Sequence, residues 1–471
     1  MKKLLLLLPT LLLTISGCNK PKENVTPSPT GGHTPNPEVT PTPTPTPTPS
    51  PTPIDYTPIN KEIKCCYTYF THATNYEEGS NGYGLTLDRW TNKSLSSIAA
   101  TGFLLACYPV FVEEGLMKKD DAYNKVNKTL DTLLRIQADN KTSYAGCLSH
   151  FVNRSTGARF DSNSEISTID TAILVSGAIS AGEYFLDEVK TKANTLWSNV
   201  DYTKFVTKKN GKSYISMGIK DLDKLTLLSP WDYYAEQLMI YILGAGNPNE
   251  NHRISSLYYK NITKNKGTYN GIEHIYSWFG SLFTYQYSQA FFNFKNYNDD
   301  KGRNYFTNSV LASQTAYQYC VDNKETYKTF SEESWGLTAC DTPLGYSGLL
   351  GTPPRGYSDS SREYSMIQGT VAPTAALGSM PFTPEESIRA LKYYQSLKKL
   401  NDEDLGLRDA FNLDFNGSAW YCADYIGIDK GIEVLQMYNY KNTDFVCNLA
   451  MNNSYVIEGF INNGFSEVSN G

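Results

Sequence analysis

Along most of the chain, apolar residues recur at three- and four-residue spacing, the period of a helix. "SLSSIAATGFLLACYPVFVEEGL" (94–116) is rich in Ala, Gly and Leu, as suits a helix buried on most sides. "DDAYNKVNKTLDTLLRIQAD" (120–139) places Val126, Leu130, Leu133 and Leu134 among polar residues, which predicts an amphipathic helix. The alternation then repeats. "STIDTAILVSGAISAGEYF" is followed by amphipathic "DEVKTKANTLWSNV", and "YYAEQLMIYILGAG" by the polar segment around "HRISSLYYKNI". "GSLFTYQYSQAFFNF" precedes "NYFTNSVLASQTAYQYC", and "GTVAPTAALGSM" precedes "PEESIRALKYYQSL". "GIDKGIEVLQMYNY" comes before the final "DFVCNLAMNNSYVIEGFINNGF".

Buried and amphipathic helices in succession predict an all-α fold of two concentric rings, an α/α toroid. A solenoid would repeat self-similar units at a fixed period, and none is present. In a toroid the inner helices run parallel, so their N-terminal ends and the loops leading into them crowd one face. That face is the expected place for chemistry.

The two ends of the chain modify this picture differently. "MKKLLLLLPTLLLTISGC" (1–18) has a basic start, a short apolar run and a small-residue exit, the pattern of a secretory signal. Ile15-Ser16-Gly17-Cys18 resembles a bacterial lipobox, which predicts lipidation at Cys18 and anchoring at the extracellular face of a membrane without spanning it. Residues 19–58 are dominated by Pro and Thr and offer no apolar face, so a disordered linker is expected. Extended at about 3.1 Å per residue, it would lift residues 59–471 roughly 100 Å from the anchor. Those residues are expected to form a single, monomeric catalytic domain.

Composition excludes several classes. A net charge of −6 without a basic block argues against nucleic acid. The nine cysteines show no C-x-x-C spacing, and the five histidines no H-E-x-x-H, so neither a zinc site nor any other metal or organic cofactor is expected. There is no G-x-S-x-G elbow, and "NGKS" at Asn210 lacks the spacing of a phosphate-binding loop. Aromatic residues make up 13%, with 35 tyrosines, which suits either sugar binding or a large core.

Acids at predicted helix starts carry the chemistry. In "RFDSNSEISTIDTAILV", Asp161, Glu165 and Asp170 crowd one helix entry. Ser162-x-x-Glu165 and Ser167-x-x-Asp170 both fit a capping box, yet one helix needs only one cap. Asp170 is expected to be the structural acid and Glu165 to face a pocket, with Asp161 between those roles. Glu236 follows Trp231, Tyr233 and Tyr234, where burial would raise its pKa toward that of a general acid. Paired carboxylates from separate helices are the minimal equipment for glycoside hydrolysis. Polar and aromatic residues at other loop-to-helix junctions complete a candidate sugar groove: Asp88, Arg89, Trp278, Tyr287, Gln289, Trp335, Asp341, Asp409 and Asn412. Trp231, Tyr233 and Asp170 are candidate binding residues beside them.

At "SSIAATGFLLA", "SHFVNRSTGARFDSNSEISTIDTAILVSGAISAGEYF", "SLFTYQYSQAFFNF", "WGLTACDTPLGY", "GTVAPTAALGSMPFTPEESIRAL", "DAFNL" and "IGIDKGIEVLQMYNY" the chain resembles the glycoamylase-like domain of bacterial glycoside hydrolases. The resemblance runs in order across essentially all of the expected domain. It implies an (α/α)6 barrel and hydrolysis of a β-glucan, with β-1,2 linkage and inversion foremost. It also implies catalytic roles for Asp161, Glu165 and Glu236. Gln289, Asn293 and Gln368 stand where family members often carry His or Asp, which bears on linkage rather than on the paired glutamates. Three alternatives stay open: a non-catalytic glycan-binding lipoprotein, a glucosidase of another linkage, and a toroidal lyase. The acidic, carboxylate-rich candidate site counts against the lyase.

Overall fold

Local capping signals set where the helices of the computed structural model begin. The structure describes residues 54–468; the signal segment 1–18 with Cys18, and the linker through Pro53, lie outside them. Helix α1 (Thr57–Ala73) starts with a proline in its first turn, where the missing N–H costs nothing, so folded structure begins inside the stretch expected to be linker. Helices α2 (Ile98–Glu113), α3 (Lys119–Ala138), α4 (Thr168–Phe185) and α5 (Asp187–Ser198) follow. Ser97 caps α2 by accepting from the Ala100 N–H, and Ser167 caps α4 by accepting from the Asp170 N–H. Next come α6 (Leu238–Ala245), α7 (Leu257–Asn261), α8 (Phe283–Phe291), α9 (Tyr305–Asp322), α10 (Arg362–Ile367), α11 (Pro373–Leu377) and α12 (Pro384–Ser396). The last three are α13 (Gly427–Lys441), α14 (Phe445–Met451) and α15 (Ser454–Asn462). Among the described residues, none is long and apolar enough to cross a membrane.

The protein is helix-rich, and its most buried helices touch in chain order. The backbones of α2 and α4 come together where Gly102 meets Gly177. Helix α4 packs on α6, and the Ser288 hydroxyl of α8 donates to Glu236 O just ahead of α6 and accepts from Met239 N–H. Gln286 of α8 donates to Ala375 O on α11, α11 packs on α13, and Gly431 of α13 lies against Phe103 of α2. On the outside, α1 and α12 flank α13 and α11, α3 lies on α2 and α5, α5 on α4, and α9 on α8.

The α2–α4 crossing depends on the absence of side chains. A Cβ on Gly177 would fall 1.8 Å from the Gly102 carbonyl oxygen, and helix backbones cannot yield locally. Gly177→Ala is expected to destabilise by about 1–3 kcal/mol or more, measured by chemical denaturation. A wild-type midpoint would show that the helices can part freely.

Two features depart from the sequence expectation. Strict alternation fails after α6: the "HRISSLYYKNI" segment forms only a short turn and the five-residue α7, and the C-terminal α15 packs against α6 instead. The connections are also rich in short antiparallel strands rather than wholly helical. Val206–Lys209 pairs with Lys212–Ile215, Lys266–Tyr269 with Ile272–Ile275, and Phe411–Phe415 with Ser418–Tyr421. Each hairpin closes on Asn-Gly, with Asn210, Asn270 and Asn416 and the following glycines all at positive φ. That two-residue turn matches the strand twist, so the dipeptide is itself a hairpin signal.

Candidate functional site

The first turns of the inner helices converge on one cavity of about 670 Å³. Ala99 of α2, Ile169, Asp170 and Ile173 of α4, Gln286 and Tyr287 of α8, Thr374 of α11, and Asp429 and Ile432 of α13 line it. Glu236 enters from the turn immediately ahead of α6, not from the helix itself. Loops add Asp88, Arg89, His150, Glu165, Trp231, Asp341, Tyr346 and Asp409. The expected crowding of inner N-termini on one face therefore accounts for the cavity wall.

Glu165 and Glu236 hold opposite protonation preferences. Glu165 is half-buried, and burial alone would raise its pKa. A 3.0 Å contact from its Oε1 to His150 Nδ1 outweighs this and holds the carboxyl below its usual range. Glu236 is buried, and burial pushes it up to about 7, with the Asp170 charge adding to the rise. One carboxylate stays ionised while the other keeps its proton near neutrality, the asymmetry acid–base chemistry requires. Asp170 does what its sequence position suggested. It is the third residue of α4, its N–H donates to the capping Ser167, and the Ser167 hydroxyl donates to its carboxylate. It also stands 3.6 Å from His150 Nε2, so the capping acid doubles as part of the wall.

A second acidic group faces these residues. Asp409 accepts from the Asp341 N–H at 2.7 Å, and Arg89 lies 3.3 Å from Asp341, 3.4 Å from Asp424 and 3.6 Å from Asp88. Burial, then the neighbouring Asp341 charge, pushes Asp409 up to about 7. Burial pushes Asp429 well above the ordinary range, with Asp409 next in effect. The Asp409 charge raises Asp429, so the two buried acids resist ionising together. Trp231 lines the cavity with its indole N–H donated to Thr168 Oγ1 at 3.2 Å, and Tyr287 lines it from α8.

Two sets of residues in or beside the cavity, His150/Glu165/Asp170 and Asp341/Asp409 with the buried Cys422 behind them, bring ligand-type atoms within 4.8 Å of one another. In the first, each imidazole nitrogen faces a carboxylate oxygen. In the second, the Arg89 guanidinium and the Asp341 N–H already occupy carboxylate oxygens. Both read as hydrogen-bonded networks. The eight cysteines of the described residues are buried and unpaired.

Several sequence candidates fall outside the cavity. Asp161 is exposed and accepts from the Asn163 and Ser164 N–H groups, a local turn in which those bonds hold its carboxyl below the usual range. Trp335 is fully buried, donating its indole N–H to Glu386 O, and acts as core. Asn412 is buried and donates to Gln368 O and Thr370 Oγ1. Gln289, on the last turn of α8, faces a small gap beside Asn293 and Asn439. Trp278 is 45% exposed and packs edge-on against Tyr233, whose hydroxyl accepts from Asn265; neither lines the cavity. Sequence reasoning missed His150, Asp429 and Tyr346. His150 lies in a short strand-like run, "LSHFV", where nothing local distinguishes it from a structural histidine. Asp429 stands at the third position of α13, where a helix-start acid has a purely local explanation.

The fold and cavity thus define a helix-rich protein whose inner helix starts surround a carboxylate-lined, partly apolar pocket. Residues 229–454 match the sequence profile described as "putative glucoamylase", so this part of the chain carries the pattern of the glycoamylase-like family that the sequence resembles. A curated relative from Parabacteroides distasonis, an exo β-1,2-glucooligosaccharide sophorohydrolase acting at the non-reducing end, is 25% identical over 398 residues. That match covers 76% of this chain and 52% of the relative, so the chain spans about half the length of the curated relative it matches. Among solved structures, a putative glucoamylase from Bacteroides uniformis is 24% identical with a TM-score of 0.75, over 89% of this chain and 99% of that one. The endo-β-1,2-glucanase of Chitinophaga pinensis, solved with sophorotriose and glucose, is 22% identical with a TM-score of 0.72, over 87% and 98%. At these identities the solved structures establish a shared fold.

Proposed function

We propose that this protein is a glycoside hydrolase of β-glucan, with β-1,2-linked glucan as substrate, and that the six inner helices form the inner ring of an (α/α)6 toroid. The observation that carries the reading is the pairing, in one cavity, of a buried Glu236 poised near neutrality with a Glu165 held ionised by His150. Glu236 serves as general acid to the departing sugar oxygen, and Glu165 positions or activates water. Inversion, the course the family resemblance implies, requires the two carboxyl groups to stand about 6.5–9.5 Å apart with a water between them. The names of the relatives support the linkage, since they act on β-1,2-glucan or its oligosaccharides. Lipidation at Cys18 would hold the enzyme at the extracellular face of a membrane.

A second assignment of the water-activating group has its own support. Asp409 lines the same cavity, and burial with the Asp409 charge holds the neighbouring Asp429 protonated, which leaves Asp409 as the member of the pair able to act as a base. Single variants separate the two: whichever of Glu165→Gln and Asp409→Asn causes the larger loss of kcat marks the base.

The test is direct. A chain beginning at Asp55 keeps α1 whole and is incubated with linear β-1,2-, β-1,3- and α-1,4-glucans while reducing ends are followed. Reducing ends are expected from the β-1,2-glucan, and Glu165→Gln is expected to lower the rate by about 10²-fold or more. Binding without product would instead make this a glycan-binding protein, and an unsaturated, ultraviolet-absorbing product would make it a lyase. Full activity in both Glu165→Gln and Glu236→Gln would overturn the site assignment.

A further inference from the structure

Among the described residues, His150 is the only histidine lining the cavity, and its position is fixed from three sides. Its backbone N–H donates to Glu165 O at 2.9 Å, and its carbonyl accepts from the Ile98 N–H at 3.2 Å, where α2 begins. Its ring lies flat on Phe151, with centroids 3.7 Å apart and planes 18° from parallel. The remaining freedom of the ring is taken by two carboxylates, Glu165 Oε1 at 3.0 Å from Nδ1 and Asp170 Oδ1 at 3.6 Å from Nε2.

A neutral imidazole donates from one nitrogen only, so it can satisfy one of these acids. The imidazolium donates to Glu165 and pairs its charge with Asp170. Every element packed against the ring brings charge to it: Glu165 from the loop before α4, Asp170 from α4, and Asp88 beside Arg89 from the segment before α2. Burial works against the charged ring, but Asp170, Glu165 and Asp88 together outweigh it and lift His150 to about 9. Glu165 is tied to His150 by both main chain and side chain. With Oε1 committed to the ring, only Oε2 of this cavity-lining carboxylate is left free of His150.

We propose that His150 is a positioning residue for glucan hydrolysis, orienting the Glu165 carboxylate and linking it to Asp170 at the start of α4. The inference rests on the hydrolase reading above and deepens it: acting through Glu165, His150 sets the lower pH boundary of the reaction. While the ring is charged, Glu165 remains a carboxylate in acid conditions that would protonate an ordinary half-buried glutamate. Removing the ring raises the Glu165 pKa, so activity is lost at a higher pH on the acidic side.

The experiment uses the full chain, β-1,2-glucan and a reducing-end assay across pH, comparing wild type with His150→Phe and His150→Gln. Phenylalanine keeps the stacking on Phe151 and removes both donors; glutamine restores one neutral donor. His150→Phe is expected to lower kcat about a hundredfold with KM changed less than about threefold. The acidic limb of its kcat/KM profile should move upward by about one pH unit. His150→Gln should recover part of kcat, while its acidic limb stays shifted. A wild-type kcat in His150→Phe, or a lowered kcat with the acidic limb unmoved, overturns the proposal and leaves the hydrolase reading standing. A wild type that releases no reducing ends from any glucan removes both. Should His150→Phe not fold, the His150 ring titration by NMR decides. A ring protonated past pH 7 in the wild type, with its pKa falling in Glu165→Gln, supports the proposal, and a ring already neutral at pH 7 overturns it.

Discussion

Replacing Glu236 by glutamine is expected to lower hydrolysis of β-1,2-glucan by about 10²- to 10⁴-fold, because the amide cannot protonate the leaving oxygen. On the proposed reading, the same carboxyl is expected to set the alkaline boundary of the wild type. With burial holding Glu236 at about 7, the acid form is lost and the rate falls as pH rises through that value. The variant should also be the more stable protein in mild alkali. A folded-state pKa above the unfolded one favours folding fully below the unfolded value near 4.5, and that contribution is lost as pH rises through about 7. Above that point the wild type carries a cost of about 3 kcal/mol that glutamine avoids. Denaturation at pH 5 and pH 8 would show this as a gain for the variant confined to the higher pH. A Glu236→Gln protein that keeps wild-type turnover, or is less stable at pH 8, contradicts the account.

The second large effect lies behind the cavity. Lys430 Nζ, on α13, sits 3.1 Å from Glu62 Oε1 of α1 and 3.2 Å from Glu433 Oε2, and all three side chains are at most 2% exposed. Glu62 accepts in addition from the Leu407 N–H, and Glu433 meets the Cys66 thiol. One ammonium therefore serves two buried carboxyls, and burial pushes Glu433 up to about 7 even with Lys430 beside it. Lys430→Ala leaves both acids without a counter-charge and is expected to cost about 3–5 kcal/mol in urea denaturation. Lys430→Met, which keeps the length, should cost nearly as much, and adding Glu62→Gln and Glu433→Gln should restore most of it. A single variant within about 1 kcal/mol of wild type would mean water or local rearrangement already compensates these charges. Asp429 precedes Lys430 on the same helix turn and feels the Glu433 charge, so the acid pair in the cavity should also be altered.

Most of the helical framework was legible because burial leaves a composition signature. The uniformly small and apolar stretches became α2, α4 and α6, and the one-sided stretches became α3, α5 and α12. Glu165 and Glu236 were legible because a helix-start acid in excess of capping, and an acid among aromatics, both ask for a reason. Trp335 and Asn412 misled because a tryptophan or an asparagine near a loop reads the same whether it faces a sugar or the core. Asp161 misled because a Ser/Asn-rich turn can absorb an acid entirely within itself. His150 escaped because its meaning comes from Glu165, fifteen residues away, and only strand pairing makes the two adjacent. The hairpins carry only a two-residue signal, Asn-Gly at each of the three turns, which helical periodicity over long stretches does not register.

The cavity wall is assembled from separate crossings between helices: Asp88–Arg89, His150–Asp170, Trp231–Glu236, Thr338–Tyr346, Asp409 and Ile426–Asp429. Each crossing is anchored at its ends by helices whose own packing lies elsewhere in the molecule. The hairpin Cys340–Thr342/Gly345–Ser347 is the clearest case, carrying the 68% exposed Tyr346 over the opening while Asp341 alone ties it to the acid pair. Lengthening or exchanging its tip is expected to reshape the cavity opening without disturbing either glutamate. The two glutamates, by contrast, stand on segments that lead directly into α4 and α6, so their placement is set by the helical frame rather than by the rim.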